Sequence, residues 1–134
     1  MRGDERVLRD RRCAGHPPLG GTILPGITRD SVCTLARDRG LAVEERRISI
    51  HELVAAHRRG ELREAFGTGT AATLSHLGSL RYRDHHLQLP PVEARAIGPA
   101  LRADLVAVAT GRAPDRHGWL TRVAGPDREE SELR

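Results

Sequence analysis

Two short runs of small residues are the places in this sequence where an anion could be held by backbone rather than by side-chain charge. Pro25-Gly26-Ile27-Thr28 opens onto a stretch with helical apolar spacing. A helix start leaves its first amides without intrahelical partners and carries the positive end of the macrodipole. Glycine at 26 lets a ligand approach the chain closely, the amides of Ile27 and Thr28 can donate, and the Thr28 hydroxyl can either cap the helix or reach the anion. The same spacing serves equally for a plain capped helix that binds nothing. Gly67-Thr68-Gly69-Thr70-Ala71-Ala72 is the second run, lying between two strand-like segments with two hydroxyls and unobstructed amides. Such a nest suits phosphate or carboxylate. It lacks the lysine and the spacing of a P-loop, and glycines beside strands also mark bends.

The other reactive residue types form no complete set. Cys13 and Cys33 have neither a CxxC spacing nor a secretory context, so inert thiols are expected rather than a disulfide. Cys13 with His16, and Asp84 with His85 and His86, each lack the second half of a zinc motif, and no metal is expected. All 22 cations are arginine and lysine is absent altogether, which removes amine chemistry from the side chains. The net charge of +4 would suit a phosphate-rich partner. Here, however, Arg46, Arg47, Arg58 and Arg59 are interspersed with Glu44, Glu45, Glu61 and Glu64, and Phe66, Tyr82 and Trp119 are too few to stack bases. Nucleic-acid binding is not expected. No window approaches the ~18 apolar residues of a membrane span and no signal-type segment follows the charged start, so a cytoplasmic chain is the expectation.

The elements that must position the two runs are legible from caps and periodicity. Residues 1–16 read as a poorly ordered lead-in, 17–119 as one ordered unit, and 120–134 as a polar tail. Thr28 is expected to cap a helix running to about Arg39, with Ile27 and Val32 as a hydrophobic staple and Gly40 as the left-handed stop. A short strand is expected over 42–47. Ser49 and Glu52 make a capping box for a second helix that Gly60 closes, with Ile48 and Leu53 as its staple. Residues 64–89 read as strands, with Gly67-Thr68-Gly69-Thr70 as a turn and a hairpin folding about Asp84-His85. A last helix has Pro99 at its first position, Leu101, Leu105 and Val108 on one face, and Gly111 as its stop. The fold class is α/β of the mixed α+β kind, helices packed on a mostly antiparallel sheet.

Taken together, the two loops carry a resemblance. Pro17-Pro18-Leu19, the run from Gly21-Thr22-Ile23-Leu24-Pro25-Gly26-Ile27-Thr28 through Arg29-Asp30-Ser31-Val32, Leu35-Ala36-Arg37-Asp38, Val43-Glu44-Glu45-Arg46, Ile48-Ser49-Ile50 and Glu64-Ala65-Phe66-Gly67-Thr68-Gly69-Thr70-Ala71-Ala72 closely resemble the class IV pyridoxal-phosphate aminotransferases, branched-chain amino-acid aminotransferases in particular. The likeness continues more loosely through Gly78-Ser79-Leu80-Arg81-Tyr82, Gly98-Pro99 and Gly111-Arg112 to His117-Gly118-Trp119.

The resemblance implies the C-terminal part of that family's large domain. It implies pyridoxal 5'-phosphate as cofactor, its phosphate held by Ile27, Thr28 and Thr70, and the substrate carboxylate received by the amides of Thr70 and Ala71. It further implies amino-acid and 2-oxo-acid substrates, Leu, Ile and Val with 2-oxoglutarate, and a homo-oligomer. The family's reaction needs a lysine that bonds to the cofactor and moves the proton. Arginine, always protonated, cannot replace it. The sequence therefore reads as a fragment that keeps the phosphate loops and is inactive by itself, or alternatively as a non-enzymatic module binding a phosphate, another small anion or a partner.

Overall fold

The computed structural model of the chain describes residues 13–16, 26–70, 73–123 and 125. The element order is β1 (Cys13–His16), α1 (Ile27–Asp38), β2 (Ala42–Glu45), α2 (Ile50–Arg58), β3 (Phe66–Gly69), β4 (Thr73–His76), β5 (Ser79–Tyr82), β6 (His85–Gln88), a 3-10 turn (Val92–Ala94) and α3 (Ile97–Ala109). The fold is mixed α+β. Its strands pair in twos: β1 with β2 in parallel, β3 with β4 and β5 with β6 as antiparallel hairpins. Among the described residues the mostly antiparallel strands form three two-stranded ribbons. The parallel pair places Cys13–His16, inside the expected lead-in, beside β2; residues 1–12 lie outside the described part, as does most of the polar tail.

α1 buries one face. Val32, Leu35 and Ala36, spaced three and four apart, meet Leu74 of β4 and Leu101 of α3 in a cluster that Phe66, Leu41, Val43, Ile97, Leu105 and Trp119 partly cover. α3 contributes the face expected of it: Leu101 and Val108 are buried, and Leu105 packs on the cluster. α1 packs on α3, β2 and β3, α3 on β4, and α2 on β6. Gly40, Gly60 and Gly111 take φ of 75°, 70° and 71° and end the three helices as expected.

Four local expectations are corrected. α1 starts at Ile27 with Gly26 as its cap, so Thr28 lies inside the first turn and makes no cap bond. Ile27 is 85% exposed, which rules out the proposed staple with the buried Val32. Gly67-Thr68-Gly69 is strand rather than turn, paired to Ser75, Leu74 and Thr73, and the chain reverses after it. Pro99 sits third in α3, not first. The Ser49 cap stands: its hydroxyl accepts from the Glu52 amide at 3.1 Å. The Glu52 carboxylate pairs with Arg46, whose hydrogen bonds hold that carboxyl below its ordinary range.

The end of the described chain is fastened by Asp115, whose carboxylate accepts from the Leu120 amide at 2.7 Å and the Trp119 amide at 2.9 Å. Those bonds, Leu120 first, hold the Asp115 carboxyl below the usual aspartate value. A depressed carboxyl adds stability above its ordinary pKa of about 3.9 and loses it as pH falls through the lower folded value. Trp119 is the single tryptophan and packs on the core. Its fluorescence is expected to shift as pH drops below about 4, with the Asp115→Ala variant already shifted at neutral pH. Identical acid profiles for the two proteins would refute this.

Candidate functional site

Among the described residues three α-helix starts differ in what occupies them, and that difference defines the candidate site. At α2 the Ser49 hydroxyl caps the first turn. At α3 the carboxylate of Glu64 accepts from the amides of Ala96, Ile97 and Gly98 at 2.9, 2.8 and 2.7 Å. The next residue, Pro99, has no N–H, so every first-turn donor of α3 is accounted for. At α1 the cap is Gly26 in extended conformation, φ −73° and ψ 134°, with no side chain to offer an acceptor. The Thr28 hydroxyl is half-buried and has no hydrogen-bond partner among the described residues. This start presents the Ile27 and Thr28 amides and one hydroxyl to whatever lies in front of it.

Two ion pairs tie α1 to the neighbouring strand. Glu45, the last residue of β2, takes Arg29 of the first turn at 3.7 Å and Arg37 at 3.5 Å. Arg29 has only 16% of its side chain exposed. On the buried side of the same helix, burial raises the Cys33 thiol, which keeps it protonated and unreactive at neutral pH.

Thr70 follows β3 directly and is exposed at the hairpin reversal. Ala71, expected to receive a carboxylate, lies outside the described residues. The structure brings the carriers of the two runs together, since α1 packs on β3. The chemistry of this donor set, backbone amides plus hydroxyls without a lysine, fits a phosphate and does not supply an amine to a carbonyl.

A second concavity, a shallow cleft of about 270 Å³, lies at the opposite end of α1 among Leu35, Asp38, Arg39, Asp104, Val108 and His117. It is roughly 16 Å along the helix axis from Ile27. Four of its charged or titratable side chains are paired with one another: Arg39 forks onto Asp104, and His117, stacked on Trp119, meets Asp38 at 2.7 Å. Among the described residues no group of three or more His, Cys, Asp or Glu could hold a metal ion, and no helix is long and apolar enough to cross a membrane.

Sequence reasoning missed Glu64 as a cap. The available signal was weak, a carboxylate just before a strand and a Gly-Pro pair at a helix start, because the partners are 32 to 34 residues apart.

Comparison with known proteins identifies relatives of this chain in sequence and in fold. The chain is 46% identical over 107 residues to the "Probable branched-chain-amino-acid aminotransferase" of Staphylococcus epidermidis, covering 80% of this chain and 30% of that protein. It is 44% identical over 108 residues to "Branched-chain-amino-acid aminotransferase 2" of Bacillus subtilis, covering 81% and 30%. The crystal structure of the Escherichia coli branched-chain amino acid aminotransferase superposes with a TM-score of 0.64 at 30% identity, over 81% of this chain and 32% of that one. The chain thus spans about 30% of the length of the curated relatives it matches. The profile of amino-transferase class IV matches residues 7–77, more than half of the 134, and takes in both small-residue runs. This chain belongs to the class IV aminotransferases.

Proposed function

We propose that this chain is the cofactor-phosphate and substrate-carboxylate receiving portion of a branched-chain amino-acid aminotransferase. The observation that carries the reading is the start of α1, where Gly26 is the cap and no side chain among the described residues caps the first turn, beside two helix starts that the chain's own side chains already occupy. In this reading the Ile27 and Thr28 amides, with the Thr28 hydroxyl adjacent, hold the phosphate of pyridoxal 5'-phosphate. The Thr70 hydroxyl adds to that grip, and the Thr70 and Ala71 amides receive the carboxylate of the amino acid or 2-oxo acid. When bound, the cofactor supplies the electron sink through which an amino group passes between Leu, Ile or Val and 2-oxoglutarate. The residues described here bind and orient; they hold no proton-transfer amine, because the 134 residues contain no lysine. By itself the chain is expected to transfer no amino group from leucine to 2-oxoglutarate above the rate of free cofactor. Measurable turnover by the purified chain would contradict the lysine argument.

The lysine-free composition also favours a second reading, a binding module that keeps the phosphate loops without catalysis. Both readings require the α1 start to bind an anion, and Ile27→Pro tests that requirement. Proline is well tolerated at the first helical position, and the extended Gly26 before it suits an X-Pro bond. Ile27 is 85% exposed, so no core contact is lost. The substitution deletes one amide donor and leaves the helix. Titration with pyridoxal phosphate is expected to show saturable binding that weakens about tenfold in Ile27→Pro, on the scale of a charge-assisted hydrogen bond, and that weakens also in Thr70→Ala. The thermal midpoint should be unchanged. A flat wild-type titration, or equal affinities in all three proteins, removes the assignment.

A further inference from the structure

The β3–β4 hairpin is gripped at both feet by the turn that leads into α3. On one side Glu64, two residues before β3, takes the three amides of Ala96, Ile97 and Gly98. On the other side Leu77, directly after β4, accepts from Arg95 Nη2 at 2.7 Å through its carbonyl. Arg95 Nε donates to the Pro90 carbonyl at 2.8 Å, and the Leu77 amide donates to Ala65 at 2.9 Å, closing the foot of the ladder. Arg95 is 7% exposed, and its hydrogen-bond acceptors are backbone carbonyls rather than carboxylates. Burying a guanidinium is costly unless hydrogen bonds compensate, and here two backbone carbonyls accept from it while its Nη1 has no partner among the described residues. Contact on the Glu64 side is equally close: a Cβ at Gly98 would stand 2.8 Å from His76 Cε1 and 3.1 Å from Glu64 Oε2.

α3 packs on α1 as well as on β4. The helix that fixes the feet of the hairpin is therefore also the one against which α1 rests. We propose that Glu64 and Arg95 are positioning residues, which, by locking both feet of the β3–β4 hairpin to the start of α3, set where the reversal carrying Thr70 stands relative to the start of α1. The anion role of Thr70 in this proposal rests on the proposed function above; the locking itself does not.

The test uses the ¹⁵N-labelled 134-residue chain and three variants, Glu64→Ala, Glu64→Gln and Arg95→Met. Amide hydrogen exchange is followed alongside a titration with inorganic phosphate. In Glu64→Ala, exchange at Ala96, Ile97 and Gly98 and across the β3–β4 ladder is expected to quicken roughly tenfold or more, the scale of losing hydrogen bonds to a charged group. The phosphate-induced shift of the Thr70 amide should be lost while those of Ile27 and Thr28 remain, and Arg95→Met should loosen the same ladder from its other foot. Glu64→Gln keeps one oxygen for Ala96 and Ile97 but turns an NH₂ toward the Gly98 N–H, so it should fall between wild type and Glu64→Ala. The proposal is overturned if the α3 amides lose protection while the ladder and the Thr70 shift stay as in wild type, because Glu64 is then only a helix cap. It is overturned equally if exchange rises evenly through Leu35, Ala36 and Leu101, the mark of general destabilisation. Should no wild-type amide respond to phosphate, the proposed function fails, and ladder exchange alone still decides the locking.

Discussion

Leu101→Ala is expected to remove a large share of the stability of this chain. Leu101 is fully buried and stands where α3 meets Val32, Leu35 and Ala36 of α1 and Leu74 of β4. Truncation there forfeits the transfer free energy of the lost methyl groups and leaves a cavity walled by two helices and a strand, at a cost of about 2–5 kcal/mol. The whole stability of a domain this size is about 5–15 kcal/mol, and ten hydrophobic residues are buried among the described residues, so the loss falls on a small reserve. A urea series should show the midpoint falling sharply with unchanged slope, or no cooperative transition at all. Leu120→Ala is the control: its side chain is 47% exposed and the change should stay within about 0.5 kcal/mol. Equal midpoints for the two variants would mean that the cluster around Leu101 is not the core.

Gly98→Ala is expected to destabilise although it replaces a poor helix former with the best one. Helix propensity alone favours the change by about 1 kcal/mol. Against this, the new methyl would stand 2.8 Å from His76 Cε1 and 3.0 Å from His76 Nδ1. It would also press on the Glu64 carboxylate, which three amides hold in place. The His76 Nδ1 atom is fully buried, so the ring has little room to retreat. Overpacking of this kind costs about 1–3 kcal/mol and outweighs the propensity gain. The check is a double-mutant cycle. In a His76→Ala background the two nearest obstructing atoms are gone, only the Glu64 contact remains, and the penalty of Gly98→Ala should shrink markedly. The same penalty in both backgrounds would show that the close approach of α3 to β4 is not its source.

How much of this was legible beforehand depends on whether the decisive partner is local. Ser49 and Glu52 are three residues apart, and Gly40, Gly60 and Gly111 act on the turn they follow, so caps and stops could be read directly. The spacing of Leu101, Leu105 and Val108 likewise fixed which face of α3 turns inward. The start of α1 was misplaced because Thr28 is the better capping side chain, whereas the chain begins its helix at Gly26, which has none. Gly67-Thr68-Gly69 looked like a turn because glycine is poor strand material, yet pairing with Thr73, Leu74 and Ser75 holds it extended. Those residues are within reach in sequence, but the gain from pairing them is not visible in any single residue.

The kinds of groups available were determined by the sequence alone: two runs able to hold an anion through amides and hydroxyls, and no lysine to do chemistry on what they hold. Which helix starts are filled by acceptors from the described side chains was decided only by the tertiary structure. Glu64 lies 32 residues before Ala96 and fills the start of α3, Ser49 fills that of α2, and α1 is left with a glycine. Every helix start leaves backbone donors without intrahelical partners, so the distinction comes from which acceptor the fold delivers to each, and at α3 that delivery depends on contacts no local pattern encodes.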